Sequence, residues 1–298
     1  MKNTLKAYTD LLRLHFFFVW PMLFCSGLFL AFQYYGEFSL ILVGKAALIG
    51  FLGFEAGLVL NDIVDAEIDK KDVEFDKLTK YWRVFGKRPI SQGLISRRNG
   101  LVLFAVLAGA TVILILTLPF PQSGYLLALV AICYCLEIFY QIKKRDETWP
   151  IAQLVGRIDF TLFPVAGYLC VGHPDINASL LALFFYPLAM AHLGVNDIVD
   201  VANDQARGMK TIPTLFGMKR TAYWILIFTV IHFVTATVFM SRLGAAGIVG
   251  LTISLSLLTI GNFIVVKNKT ASAGLRALPM LHVAMLVYSV SIIASYWI

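Results

Sequence analysis

Nine apolar runs, each long enough to cross about 30 Å of hydrocarbon, set the terms for this chain: residues 14–35, 38–60, 100–119, 123–141, 150–171, 177–195, 221–241, 243–266 and 278–298. A backbone inside lipid has no water to satisfy its N–H and C=O groups, which leaves only helices or closed barrels. Segments of about ten residues with alternating polarity, the mark of a barrel strand, do not occur, so the runs are read as helices. The expectation is all-α: a multi-pass membrane helical bundle of nine transmembrane helices, one integral-membrane domain over residues 1–298. Composition points the same way. With 59% hydrophobic residues, 14% charged residues and a mean hydropathy of +0.77, the chain is too apolar for a water-soluble domain of 298 residues. The first run lacks a small-residue cleavage site and is too long for the apolar core of a signal peptide, so it is read as a retained span.

The basic residues choose an orientation. With the N-terminus inside, 22 of the 25 lysines and arginines fall in the inner connections: Lys2, Lys6 and Arg13; nine within 61–98; Lys143, Lys144 and Arg145; Arg207, Lys210, Lys219 and Arg220; and Lys267, Lys269 and Arg276. The outer connections hold Arg242 alone, while Lys45 and Arg157 lie within spans. Cytoplasmic loops carry the excess of positive charge, so the chain is read as a cell-membrane protein with a cytoplasmic N-terminus. This sidedness accounts for the net charge of +7 without invoking nucleic acid. Cys25, Cys133, Cys135 and Cys170 sit in apolar segments without CxxC spacing, and read as buried reduced thiols rather than a disulfide framework or a zinc site.

One polar motif occurs twice. Asn61-Asp62-Ile63-Val64-Asp65 is repeated as Asn196-Asp197-Ile198-Val199-Asp200, and a further aspartate follows at the same offset in each copy, Asp69 and Asp204. If each copy is helical, Asn61, Asp65 and Asp69 fall at i, i+4 and i+8, with Asp62 one turn before Asp65, so like charges crowd one stripe. The plainer reading treats them as solvated helix ends with caps and acidic first turns. Two near-identical copies at the cytoplasmic ends of spans favour a cation held against the carboxylates. Hard oxygen donors suit magnesium, which keeps several waters and is shared with substrate phosphates. Two such stripes facing each other would hold a metal-bound diphosphate between them.

Residues 61–98 carry nine basic and seven acidic side chains mixed with Phe75, Tyr81, Trp82, Val84 and Phe85, the pattern of an amphipathic cap at the membrane interface. Within the spans, Glu55, Arg157, Asp159 and His192 are ionisable, and such groups mark either function or a buried pair. Arg157 and Asp159, at i and i+2, do not share a helix face. Each is therefore expected to pair with another helix, Glu55 with Arg157 being one such pair.

Asn-Asp-x-x-Asp-x-x-x-Asp at 61–69, followed by Lys87-Arg88-Pro89-Ile90-Ser91-Gln92-Gly93, and Asp200-x-x-x-Asp204 running into Gly208-Met209-Lys210-Thr211-Ile212-Pro213, resemble the UbiA superfamily of intramembrane prenyltransferases. Arg13-Leu14-His15 is similar to that family's Arg-Pro-His, and Tyr140-x-x-x-Lys144 closing the fourth span is a further match. The resemblance implies a helical bundle around a lipid-open cavity, two magnesium ions bridging an isoprenoid diphosphate, and transfer of the prenyl group to a lipophilic, usually aromatic, acceptor. On that basis Asp62, Asp65 and Asp69 would take one ion, and Asp200 and Asp204 the other. Arg13, Arg88, Lys144 and Lys210 would contact phosphate oxygens, with Asn61, Asn196 and Asp197 beside them. The Tyr140 phenol would orient phosphate or quench a carbocation. Between Asp69 and Arg88 the chain is longer than the family's short link. A membrane terpene cyclase on the same scaffold would need the same aspartates and no acceptor. A cation transporter is the third reading, but repeat-built transporters place their sites near the midplane, whereas these motifs stand at span ends. The run after Asp204 is similar to that of the chlorophyll-synthase and lipid-ether branches and is largely shared by quinone-precursor enzymes, so acceptor and chain length stay open.

Overall fold

In the computed structural model, which describes residues 2–36 and 38–298, all regular structure among the described residues is helical. The elements are α1 (Lys2–Leu11), α2 (Val19–Tyr35), α3 (Leu40–Val64), α4 (Leu78–Trp82), α5 (Arg97–Leu116), α6 (Gln122–Lys143), α7 (Ile158–Tyr168), α8 (Ile176–Arg207), α9 (Ile212–Met240), α10 (Ala245–Asn268) and α11 (Ala271–Ala294). Among the described residues eight helices are long and apolar enough to cross a membrane: α2 with the 3₁₀ turn Leu14–Phe16 that leads into it, α3, α5, α6, α8, α9, α10 and α11. The fifth apolar run, residues 150–171, is broken. A π-helical turn at Ala152–Gly156 precedes α7, which has only 11 residues.

Short polar side chains start the helices where the sequence leaves the apolar runs. Ser39, Ser96, Asp175 and Thr270 each accept the N–H three residues on, at the starts of α3, α5, α8 and α11. Gly208, at φ 74°, ends α8 in the left-handed conformation that a residue with a Cβ resists. Gly217, at φ 79°, breaks α9 after its first turns. Within the bundle α2 is central, packing on α3, α7 and α11, while α8 packs on α7, α9 and α11. The α2–α7 crossing brings backbone against backbone: a Cβ on Gly27 would lie 1.8 Å from the Pro164 carbonyl oxygen, and one on Gly167 would lie 1.8 Å from that of Phe24. Lipid offers no hydrophobic drive between helices, so close approach of this kind is how they gain contact. Of the four free cysteines, Cys25 and Cys170 are buried as expected, Cys133 is half-buried, and Cys135 is exposed on the outer face of α6. Exposed apolar side chains are normal on a face that meets lipid, so the expectation of burial fails at Cys135 for that reason.

The segment between α3 and α5 folds across one end of the bundle and is tied down at two places. Asn203 of α8 accepts the N–H groups of Val73 and Glu74 (3.0 and 2.8 Å) and donates to the Glu74 carbonyl (2.8 Å). Asp10 of α1 accepts the N–H groups of Phe85 and Lys87, both at 2.9 Å. Tyr81 and Trp82 point into the bundle, while Val73, Phe75, Val84 and Phe85 face outward, which is the two-sided cap that the sequence suggests.

Candidate active site

α3 and α8 deliver the two motif copies to this capped end, but on different backbones. α8 runs unbroken through Asn196, Asp197, Asp200 and Asp204. α3 stops at Val64. Asp65 caps it at φ −90° and ψ 0°, and Asp69 begins a 3₁₀ turn. The continuous acidic stripe expected of both copies therefore holds for the second and bends in the first, where the Asp65 carbonyl accepts the N–H groups of Ile68 and Asp69 as the chain turns toward α8.

Asp62, Asp65, Asp69, Asp197, Asp200 and Asp204 are all buried. Buried carboxylates this close are tolerable only if paired, and cations from several elements pair all of them but Asp197. Asp62 meets Arg13 at 3.1 Å and Arg83 at 2.8 Å. Asp65 meets Lys144 at 2.9 Å and Arg145 at 3.0 Å. Arg88 bonds Asp69 at 2.7 Å and Asp72 at 2.6 Å, and stands 4.0 Å from Asp200. Arg207 reaches Asp72 at 2.5 Å, Asp200 at 3.3 Å, Asp69 at 3.5 Å and Asp204 at 3.7 Å. Thr211 donates to Asp204 at 2.8 Å. Arg13 takes a left-handed backbone (φ 47°), rare for a residue with a side chain, to bring its guanidinium there. Burial and the neighbouring Arg83 lower its pKa to about 10. Burial also opposes the charge on Arg88, but the Asp69, Asp200 and Asp72 carboxylates outweigh it and raise the pKa.

Between the motifs lies a cavity of about 240 Å³ onto which Asp65, Asp197, Asp200, Asp204, Arg13, Arg88, Lys144 and Arg207 open. Tyr140 lines it too, with Lys144 4.9 Å and Arg157 3.8 Å from its ring centre. A second chamber of about 180 Å³ shares Arg13, Phe54, Leu58, Asn61, Arg157 and Phe160 with the first and adds Glu137, Asp159 and Phe163. Asn61 donates to Glu137 at 2.7 Å, and Asn196 accepts from Trp82 of the cap at 3.3 Å. The cavity thus gathers Asn61, Asp65, Asn196, Asp197, Asp200 and Asp204 with Arg13, Arg88, Tyr140 and Lys144, while Asp62 and Asp69 stand behind its lining, held by Arg13 and Arg83 and by Arg88. Lys210 stands apart: it is exposed, and it touches the site through its backbone N–H on the Lys144 carbonyl at 2.7 Å.

Arg157 pairs with Glu137 at 2.8 Å and with Asp159 at 3.3 Å, so the expected Glu55 pair does not form. The i,i+2 objection fails because Arg157, at φ −80° and ψ 7°, stands at the break between the π turn and α7, outside regular helix. Sequence alone does not single out Asp72, Arg83, Arg145, Arg207 or Glu137 as site residues. Asp72 lies three residues after Asp69, and Arg207 three after Asp204, a spacing that could have flagged both; Arg83 carries no such signal.

Among the described residues no three histidine, cysteine or carboxylate groups stand close enough to cage a metal ion. The oxygen donors come singly and in pairs, and the buried Asp69 Oδ1 and Asp197 Oδ2 have no hydrogen-bond partner. That donor set fits magnesium, which is held by one or two carboxylates together with waters and substrate phosphates.

The family model described as the UbiA prenyltransferase family matches residues 18–290. A digeranylgeranylglyceryl phosphate synthase of Thermococcus kodakarensis is 30% identical over 193 residues, 63% of this chain and 62% of that one. A protoheme IX farnesyltransferase of Baumannia cicadellinicola is 28% identical over 210 residues, 70% of this chain and 66% of that one. The match therefore spans less than two thirds of either relative. A UbiA homolog from Archaeoglobus fulgidus, in a structure bound to DMAPP and Mg2+, has the same fold with a TM-score of 0.69, covering 96% of this chain and 99% of that one at 14% identity. With the family match running through nearly every span and this architecture around it, the chain belongs to the UbiA prenyltransferase family.

Proposed function

We propose that the protein is a magnesium-dependent intramembrane prenyltransferase, moving a prenyl group from an isoprenoid diphosphate to a lipophilic acceptor and releasing diphosphate. One observation carries the reading: two aspartate-bearing helix ends and the cations Arg13, Arg88, Lys144 and Arg207 converge on a cavity that shares its wall with an aromatic chamber. One or two of Asp62, Asp65 and Asp69, with waters and substrate phosphates, would hold one ion and Asp200 and Asp204 the other, and bound magnesium supplies charge neutralisation to the leaving diphosphate. Arg88, Arg207, Lys144 and Arg13 are already within reach of the motif carboxylates. When a diphosphate arrives they exchange carboxylate partners for phosphate oxygens, where charge grows as the allylic C–O bond breaks. Asn61, Asn196 and Asp197 line the same space, and Tyr140 keeps its ring beside the reacting carbon. Phe54 and Phe160, shared by both chambers, shelter the allylic cation, at about 0.5–2 kcal/mol per ring.

Support comes from the relatives' names, a digeranylgeranylglyceryl phosphate synthase and a protoheme IX farnesyltransferase, and from the homolog bound to DMAPP and Mg2+. By the lysine and arginine bias, the N-terminus and the active site face the cytoplasm. The test is diphosphate release from farnesyl and geranylgeranyl diphosphate by purified protein, with and without magnesium and with and without a cell lipid extract. Release that requires both magnesium and extract establishes a transferase. Magnesium-dependent release without extract establishes the cyclase instead, and no release from either substrate overturns the proposal.

A further inference from the structure

His192 lines the larger cavity and meets a second imidazole there. Its Nε2 lies 2.7 Å from Nε2 of His282 on α11, so a single proton fits between the two rings. On the far side of that pair, His282 Nδ1 stands 2.6 Å from the Tyr81 hydroxyl of the cap, and His15 bonds the Tyr81 carbonyl at 3.1 Å. One fixed donor orders the protons along this chain. The Trp82 indole can only donate, and it donates to Asn196 Oδ1 at 3.3 Å, so the Asn196 amide nitrogen is the atom turned to the His192 ring. It stands 3.3 Å from Nδ1 and 3.2 Å from Nε2. An amide N–H faces a lone pair, and Nε2 is already taken by His282, so the free lone pair of His192 is on Nδ1. The His192 proton then sits on Nε2 and donates to His282, whose own proton sits on Nδ1 and donates to Tyr81. His192 is thus an uncharged base, the one imidazole among the described residues of the cavity wall. The carboxylates Asp65, Asp200 and Asp204 of that wall are engaged with Lys144, Arg145 and Arg207 and are the acids that would hold magnesium. A proton on any of them weakens that hold; a proton on His192 does not. Arg157, on the same wall, is held by Glu137 at 2.8 Å and Asp159 at 3.3 Å.

We propose that His192 is the base of the reaction proposed above, on which the inference rests, and that His282 and Tyr81 are positioning residues that hold its tautomer. As the prenyl C1–O bond breaks, its electron pair leaves on diphosphate. An electron pair of the acceptor forms the new bond to C1, and the acceptor proton, made acidic by that bond, passes to His192 Nδ1. The imidazolium keeps its Nε2–H on His282, a charge-assisted hydrogen bond. It gives the proton to water when product leaves, and both rings return to their starting tautomers.

The experiment uses the full chain in nanodiscs with magnesium, radiolabelled farnesyl or geranylgeranyl diphosphate as donor and the cell lipid extract as acceptor, and counts prenylated lipid apart from free prenyl alcohol. His192→Ala is expected to lower kcat about 100-fold while the KM for the donor stays within about threefold. Free imidazole then raises the rate of this variant at least about tenfold, whereas triazole, of the same shape but a far weaker base, does not. Tyr81→Phe takes away the acceptor of the His282 proton, lets the tautomers of both rings reverse, and lowers kcat about tenfold at unchanged KM. A near-normal kcat in either variant, or imidazole no better than triazole, would overturn the inference. Should His192→Ala fail to fold, His192→Gln decides it by the same split between kcat and KM. Wild-type protein that forms no prenylated lipid from either donor would strike the transferase reading itself, and the inference with it, whereas wild-type turnover with indifferent variants strikes the inference alone.

Discussion

Replacing Arg207 by methionine tests whether the carboxylates around the cavity are a metal site or merely a structural salt-bridge network. The Arg207 side chain is 5% exposed and stands 2.5 to 3.7 Å from Asp72, Asp200, Asp69 and Asp204. In the variant three of these acids, Asp69, Asp72 and Asp200, keep Arg88 as their shared guanidinium, while Asp204 is left with the Thr211 hydroxyl. Breaking one partner out of a buried ionic cluster costs about 3–5 kcal/mol, because the charges left behind stay buried. At about 2 °C per kcal/mol, the low end of the range and suited to nearly 300 residues, the melting temperature in detergent falls by about 6–10 °C. If the carboxylates form a metal site, a divalent cation can take the place of the lost guanidinium. Magnesium at about 100 times its dissociation constant then restores about 2.7 kcal/mol, at least half of the loss. Sodium at equal ionic strength restores little. The assay is a melting curve followed by intrinsic fluorescence, with and without magnesium. An unchanged melting temperature would refute the pairing, and a loss that sodium reverses as well as magnesium would refute the metal reading.

Three further outcomes follow. Asp65→Ala and Asp200→Ala each lower turnover by at least about 100-fold while the protein still elutes as folded in detergent; a near-normal rate from either would remove that carboxylate from the mechanism. Gly167→Ala places a methyl 1.8 Å from the Phe24 carbonyl and costs more than about 3 kcal/mol, whereas Gly109→Ala, where nothing lies within 4 Å, leaves the melting temperature unchanged; equal effects would mean that the α2–α7 contact is not made. A cysteine at exposed Gln92 in the cap reacts with a membrane-impermeant maleimide only in inside-out vesicles, and labelling of intact cells would reverse the topology.

Much of the site lies in the sequence because its chemistry is repetitive. The doubled Asn-Asp-Ile-Val-Asp run announces paired acids at span ends, and length and apolarity alone locate the helices. What holds those acids apart does not repeat. Arg83 finds Asp62 only because the cap folds back over the bundle, and Asp10, some 75 residues earlier, fixes that fold through two backbone N–H groups. The pairing of Arg157 with Asp159 contradicts helical spacing because a π turn interrupts the fifth apolar run, and Pro150 and Gly156, which flank and end that turn, are weak signs of it because single prolines and glycines are also tolerated in membrane helices. Apolarity also understates helix length for a related reason. The sixth apolar run ends at residue 195, yet α8 continues through the polar motif to Gly208, stabilised by partners far away in sequence.

The identical five residues stand on unequal mechanical footings. The second copy belongs to a 32-residue rod whose hydrogen bonds run from its Asp175 cap to Gly208, so its carboxylates move only if the rod moves. The first copy is released from its helix at Asp65, and its later acids ride on a strap tied across to that rod by Asn203 and back to α1 by Asp10. A pull on the strap therefore changes the gap between the two sets of acids from one side only. The same letters serve as anvil in one place and as jaw in the other.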